Sequence, residues 1–449
     1  MPPILSPLSA HRMGFLFAIL APLSVLAGGP SRPITLDEAL EIAFQNEPSL
    51  FAARSTALAA KERTEIAGAG YLPTLNFDAA YLPQSGNFVP RPGMNFQQFA
   101  ADPSMTPYHY FNFTLSLRET LYDFGRTSAG VEQFRHSARA AEADVERARL
   151  DLWAAVVSRY IAVLSSQEML GVANRSRDQA VRYATRARAM FDAGLRPMID
   201  VVRTEADAQT AEAALLSAQD SLALSQAALA ALFGRRERFD FSVAPLPDSF
   251  ADEPIPSVED ALAEAQARRP ELAALAYRIS SQEALVRRQR AGYYPILFAQ
   301  AGFTLGGTAI DALVYNWSLG IGLSLPLFSG FSTSHEQSEA EATLAALRAN
   351  LDSLHLNIRM EVEQALRRLA DDRARLGPVS AALQAAREAL RLADGRYEAG
   401  TGNQVELLDA QASLANAEAA LVRARFEATL SWVALQRILG RLPERWQKK

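Results

Sequence analysis

The feature that most constrains this chain is that it repeats itself. Pro48, Leu50, Gly70, Tyr71 and Pro73 return as Pro270, Leu272, Gly292, Tyr293 and Pro295, each pair 222 residues apart (270 − 48). Further on, Gly194 and Gly234 return as Gly400 and Gly440, now 206 apart (400 − 194). Register kept without gaps over such spans marks an internal duplication. The fold of one half therefore binds the other. The two offsets differ by 16 residues (222 − 206), and the extra length falls in one loop: Pro83 to His109 in the first half is long and rich in Pro, Gly and Asn, whereas Gly306 to Tyr315 is short.

Each half reads in the same order. Thr35 with Glu38 forms a capping box, and Ser257 with Asp260 repeats it, so helices are predicted over 35–70 and 257–292. Alternating strands follow. Leu75, Phe77, Ala79 and Tyr81 alternate with Asn76, Asp78 and Ala80, and Phe111, Phe113, Leu115 and Leu117 with Asn112, Thr114, Ser116 and Arg118. The second half does the same, predicting strands over 75–82, 110–118, 296–305 and 316–325. Then comes a very long helix, 127–191 or 333–397, at 1.5 Å per residue roughly 100 Å long. No ordinary globular core is that deep.

A turn and a shorter helix, 198–233 or 403–439, close each half. Leu407, Ala410, Leu414, Ala417, Leu421, Ala424 and Ala428 recur at alternating steps of three and four, the period of a coiled-coil seam, as do Val201, Thr204, Ala208, Ala211, Leu215, Ala218 and Leu222. Gly400 and Gly402 are read as positive-φ residues ending the long helix, with Asn403 capping the next. The first repeat is thus 28–234, the second 257–440, and 441–449 is a tail. The Pro-rich, charged segment 235–256 reads as a linker lying against the outside of the helices. A long apolar stripe needs cover along its length. The shorter helix, stacked end to end with the 48–70 helix of the same half, is expected to supply it.

Forty-five basic against 50 acidic residues, a formal charge of −5, argue against a nucleic-acid partner. Residues 1–27, with Arg12 before an apolar run ending Val25-Leu-Ala27, read as a secretory signal. With no cysteine in the chain there is no lipid-anchored Cys, disulfide or zinc–thiolate site. Beyond the signal no apolar run approaches about 18 residues, so a membrane-crossing role would fall to strands. Four strands cannot close a barrel, and an open edge cannot be left in lipid. Three copies would supply twelve. Tyr81, Tyr108, Tyr110, Tyr293, Tyr294 and Trp317 stand near strand ends, where interfacial aromatics belong. A soluble amphipathic sheet packed on helices satisfies the alternation equally well.

The repeated Thr35-Leu-Asp-Glu-Ala-Leu40 and Ser257-Val-Glu-Asp-Ala-Leu262, the strand exits Leu121-Tyr-Asp and Leu325-Pro-Leu-Phe-Ser-Gly330, and the stretch Tyr397-Glu-Ala-Gly-Thr through Glu406-Leu-Leu-Asp-Ala-Gln411 resemble the TolC-like outer membrane efflux proteins. The resemblance covers nearly the whole chain after the signal. It implies a mixed α and β membrane protein: a homotrimer with a twelve-stranded outer-membrane β-barrel and a periplasmic α-barrel of coiled-coil helices. It also implies a periplasmic adaptor and an inner-membrane pump as partners, with neither catalysis nor a cofactor in this component. Glu406 and Asp409 match an acidic pore constriction, and Tyr397 with Asp200 matches a closed-state link. Gly402 departs from the basic residue the link requires, which leaves Arg196 or Arg203 to supply it. The turns at Gly194, Leu195, Gly400 and Thr401 are the expected adaptor-docking tips. The same architecture serves type I protein secretion, and from another class a soluble periplasmic coiled-coil scaffold remains open. The five scattered histidines make no metal motif, and Gly320-Ile-Gly322 lies in a strand pattern with no helix to hold a phosphate.

Overall fold

The computed structural model describes residues 32–85, 107–234, 241–247 and 253–443. The signal segment, the body of the long hairpin loop, the flanks of the linker and the end of the tail lie outside the described residues. The elements run α1 (Leu36–Asn46), α2 (Pro48–Gly68), β1 (Thr74–Ser85), β2 (Pro107–Tyr122), α3 (Arg126–Asp192), α4 (Met198–Leu232), then α5 (Val258–Arg268), α6 (Pro270–Arg290), β3 (Ile296–Gly307), β4 (Val314–Ser324), α7 (Ser332–Glu398) and α8 (Gln404–Ile438). The long helices α3 and α7 are 67 residues each, and α4 and α8 are 35 each.

The single helices expected over 35–70 and 257–292 are each two. Glu47 (φ −72°, ψ 119°) and Arg269 (φ −67°, ψ 120°) are extended, and Pro48 and Pro270 begin new helices. A residue before proline is pushed out of the α region, while proline suits a first helical turn because its missing N–H is not needed there. Glu47 caps α2 by accepting from the Ser49 and Leu50 amides. Thr35 and Glu38 form the capping box at α1. Pro378, by contrast, is absorbed inside α7.

The cover along the long helices is the expected one, α4 and α2 on α3 and α8 and α6 on α7, with cross-repeat packing of α6 on α3 added. α2 packs on α3, but α6 is wedged between α3 and α7. It meets α3 through Ser281 on Ser137 (2.9 Å) and Arg287 on Glu132 (2.6 Å), and α7 through Gln282 on the Ala340 carbonyl (3.0 Å) and Arg290 on Glu341 (2.8 Å). The second repeat is thereby locked onto the first.

The principal core sits at the middle of the long helices, where Leu40, Phe44, Val156, Val157, Ile161, Leu229, Ile358, Val362, Leu369 and Val433 are buried together. The linker enters this core and does not lie outside it: Phe241 and Val243 are buried, and Val243 bridges Ile34 in parallel. The Tyr160 hydroxyl stands 2.9 Å from the Ile34 carbonyl and 2.6 Å from that of Ala244, tying α3 to both segments. Burial pushes the Tyr160 phenol up to about 12. A second, small core of Leu390, Ala393, Tyr397 and Leu407 lies at the tip.

Candidate functional site

The four strands form one antiparallel sheet in the order β1-β2-β3-β4. Thr74 pairs with Arg118, Leu115 with Phe303 and Phe303 with Trp317, so side chains sort by alternation into two faces. One face carries Leu75, Phe77, Leu115, Leu117, Phe303, Leu319, Ile321 and Leu323. The other carries Asn76, Asp78, Asn112, Thr114, Arg118, Gln300 and Ser318. On the apolar face of β4, Trp317, Leu319, Ile321 and Leu323 are 73, 76, 73 and 67 % exposed. Water would penalise that surface by roughly 1.5–3 kcal/mol per side chain; lipid would not. The strands are 11 to 16 residues long, enough to cross a bilayer, which takes about 9–11 tilted residues. No helix among the described residues is long and apolar enough to cross. Among the described residues the sheet ends in two unpaired edges, β1 and β4.

At the far end of the long helices are two turns built alike. Gly194 and Gly400 both take φ +74° with open space around them. The Gly194 amide donates to Phe191 O (2.8 Å) and that of Leu195 to Met190 O (2.9 Å), while Gly400 donates to Tyr397 O (3.2 Å) and Thr401 to Arg396 O (3.0 Å). This is the double closure that ends a helix on a left-handed glycine. Gly402 does not take positive φ as expected. It is needed small instead, since a Cβ there would lie 2.9 Å from the Tyr397 amide nitrogen. Asn403 caps α8 by accepting from the Glu406 amide at 2.8 Å.

Between the turns, Tyr397 is buried, with the Arg196 guanidinium 4.6 Å from its ring centroid and that of Arg186 at 5.7 Å. Arg196 also donates to the Tyr397 and Gly402 carbonyls at 3.4 and 3.3 Å. Arg186 pairs with Glu398 (3.0 Å) and Asp394 (3.5 Å). Burial pushes the Tyr397 phenol up; Arg196 and Arg186 pull it partway back, and Asp200 adds to the rise. Among the described residues the Tyr397 hydroxyl has no hydrogen-bond partner, so buried Asp200 reaches it by charge alone. Arg196 occupies the position in the first turn that Gly402 occupies in the second (402 − 196 is again 206), so the basic residue missing from one repeat stands in the other and reaches across.

Glu406 and Asp409 share a face of α8, but they differ in charge balance. Glu406 is bridged by Arg396 at 2.7 Å; Asp409 is exposed and, among the described residues, unpaired. Only the partners' placement across the turn reveals this. Leu195 is 73 % exposed at its tip, with Thr401 exposed at the other.

The model for the family described as outer membrane efflux protein matches residues 39–235 and 261–441, one stretch in each repeat. The chain belongs to the outer membrane efflux protein family. Its relatives include the pyoverdine export outer membrane protein OpmQ of Pseudomonas putida, 29 % identical over 414 residues, covering 90 % of this chain and 85 % of the relative. The outer membrane protein TolC of Vibrio cholerae is 25 % identical over 448 residues, 95 % of this chain and 96 % of the relative. Among solved structures, the outer membrane protein VceC of Vibrio cholerae superposes with a TM-score of 0.76 at 23 % identity, covering 90 % of this chain and 96 % of that one. Members of this family are outer membrane efflux proteins, and this member is an outer-membrane protein of the same kind.

Proposed function

We propose that this efflux protein is the passive exit duct of a three-part export system. Three copies join their sheets into one barrel in the outer-membrane lipid and their helices into a periplasmic tunnel. An inner-membrane pump supplies the energy and a periplasmic adaptor links it to the duct; no nucleic acid or cofactor takes part. The observation that carries the reading is the sheet: four membrane-length strands with one apolar face and two open edges, which lipid tolerates only when neighbouring copies close them.

The tip supplies the closure and the docking face. Asp409, uncompensated, repeats three times around the axis and concentrates negative potential, with Glu406 a weaker contributor beside Arg396. Arg196 on Tyr397, with Asp200 behind, holds the two turns of one copy together in the closed state. Gly194, Leu195, Gly400 and Thr401 face outward for the adaptor.

The duct reading predicts that the protein needs detergent for extraction, runs as a heat-labile trimer and conducts ions in planar bilayers. Release by osmotic shock as a monomer would end it. Crosslinkers at Ala193 and Ala399 are expected to capture the adaptor in cells, and failure at both positions would remove the docking assignment.

A further inference from the structure

The polar face of the sheet holds an aromatic ring. Phe298 stands there between Thr120 on β2 and Gly322 on β4, and it lies over the glycine, where a Cβ would come within 2.5 Å of the ring. Gly322 is bare so that the ring can occupy that space. Arg118, on the same face of β2 and diagonal to Phe298, sets its guanidinium 4.2 Å from the ring centroid. Glycine, ring and guanidinium thus stack across three strands. The duplication did not supply this stack: the counterparts of Arg118, Phe298 and Gly322 are Ser324, Asn76 and Ser116 (118 + 206; 298 − 222; 322 − 206), and none of them can build it.

Two groups beside the stack have no use inside the protein. The ring contact aside, the Arg118 guanidinium makes no hydrogen bond or ion pair among the described residues. The other charge on this face of the described strands is Asp78. It pairs with Thr114, four residues from Arg118 along β2 (118 − 114) and so about 13 Å away. Gly320 is the second. It faces Gln300 across the sheet and its φ is not positive, so its backbone would accept a side chain. A Cβ there would meet nothing within 4 Å, the Gln300 side chain included. Glycine inside a strand weakens it and often marks a place where a ligand or another backbone comes close. Among the described residues no other backbone does so at Gly320.

We infer that Arg118, Phe298 and Gly320 form a shelf on the wall of the duct that binds planar aromatic carboxylates. Arg118, Gln300 and Gly320 lie in one row across β2, β3 and β4, two strand spacings or about 9.5 Å from end to end. That matches a carboxylate carried on a one- or two-ring system. The carboxylate takes the free N–H groups of the guanidinium, whose planar fork suits it. The ring rests on the bare strand at Gly320 with Phe298 beside it, and the exposed Gln300 amide between them donates to a carboxylate oxygen. An aliphatic acid has no ring to seat, and an aromatic amine is repelled by the guanidinium. The shelf deepens the duct reading and rests on it, since the duct turns the polar face toward the lumen. Its residues all come from one copy. Exposed contacts hold a ligand loosely, as a wall site must if cargo is to leave it.

The probe is 2-naphthoate, added to the full-length trimer in lipid nanodiscs, with its line broadening in ligand-observed NMR read against empty nanodiscs. The parent is expected to broaden it, and to broaden cyclohexanecarboxylate and 2-naphthylmethylammonium far less. Arg118→Gln is expected to weaken naphthoate binding about tenfold. Gly320→Val places its side chain in open space and keeps every charge, so it is expected to leave a heat-labile trimer and to weaken binding as much, by covering the seat of the ring. Undiminished binding by either variant overturns the shelf and leaves the duct standing, as does a parent trimer that broadens naphthoate no more than empty nanodiscs. A parent protein that is monomeric in mild detergent removes the duct itself, and the shelf with it.

Discussion

Replacing Arg196 with alanine tests the tip most directly. The guanidinium makes two contacts that span the repeats: a ring contact with buried Tyr397 at 4.6 Å, and hydrogen bonds of 3.4 and 3.3 Å to the carbonyls of Tyr397 and Gly402. A partly desolvated cation over an aromatic face contributes about 0.5–2 kcal/mol. Hydrogen bonds from a charged donor contribute about 1.5–3 kcal/mol at good geometry, but these are at the long end of the accepted range. The Arg196–Gly402 bond is only partly buried, which lowers its contribution further. We therefore assign about 2 kcal/mol per copy to the whole contact, roughly thirtyfold in the balance between latched and unlatched tips. If three copies open together the effects add to about 6 kcal/mol, enough to turn a closed resting channel into an open one. Single-channel recording in planar bilayers is expected to show a large rise in conductance or open probability for Arg196→Ala. Arg196→Lys should fall between the two, keeping a charge over the ring but losing the planar fork. If Arg196→Ala assembles as a trimer and conducts like the parent, the two turns are not held together by this residue.

Asp409→Ala is expected to lower cation selectivity, measured by reversal potentials, more than Glu406→Ala, because Arg396 already compensates Glu406. Equal effects would contradict the assigned charge balance. On the apolar face, Leu319→Arg is expected to cost about 2–4 kcal/mol at mid-membrane depth and to reduce folded trimer in the outer membrane, while Ser318→Arg on the polar face is tolerated; heat-modifiability on gels reads both. At alkaline pH the folded Tyr160 phenol stays neutral up to about 12 while an unfolded one ionises near 10. Its contribution is thus fully present below pH 10 and lost as pH rises to 12, a change of up to about 3 kcal/mol. The gap in melting temperature between the parent and Tyr160→Phe should narrow across that window, and a constant gap would show that burial does not hold the phenol neutral.

Much of the architecture was legible in the residues because it depends on short-range periodicity. Leu407, Ala410 and Leu414 at steps of three and four can only line one side of a helix, and Phe111, Phe113 and Leu115 at steps of two can only line one face of a strand. Gly194 and Gly400 mark chain reversals because few other residues accept their φ. The breaks at Glu47 and Arg269 were legible too, in the prolines that follow them, but the helical pattern continues on both sides and hid them.

What the sequence determined by itself was the set of elements, their duplication, and which face of each is apolar, since all three follow from local spacing and identity. Only the tertiary structure decided that α6 wedges between α3 and α7, that Phe241 and Val243 are core residues, that Arg396 compensates Glu406, and that Arg196 reaches Gly402. Each of these depends on where a side chain's reach ends after the chain has turned back on itself. Arg196 and Gly402 are 206 positions apart in the chain but meet at 3.3 Å, a meeting set by the relative rotation of two long coils that no local pattern encodes.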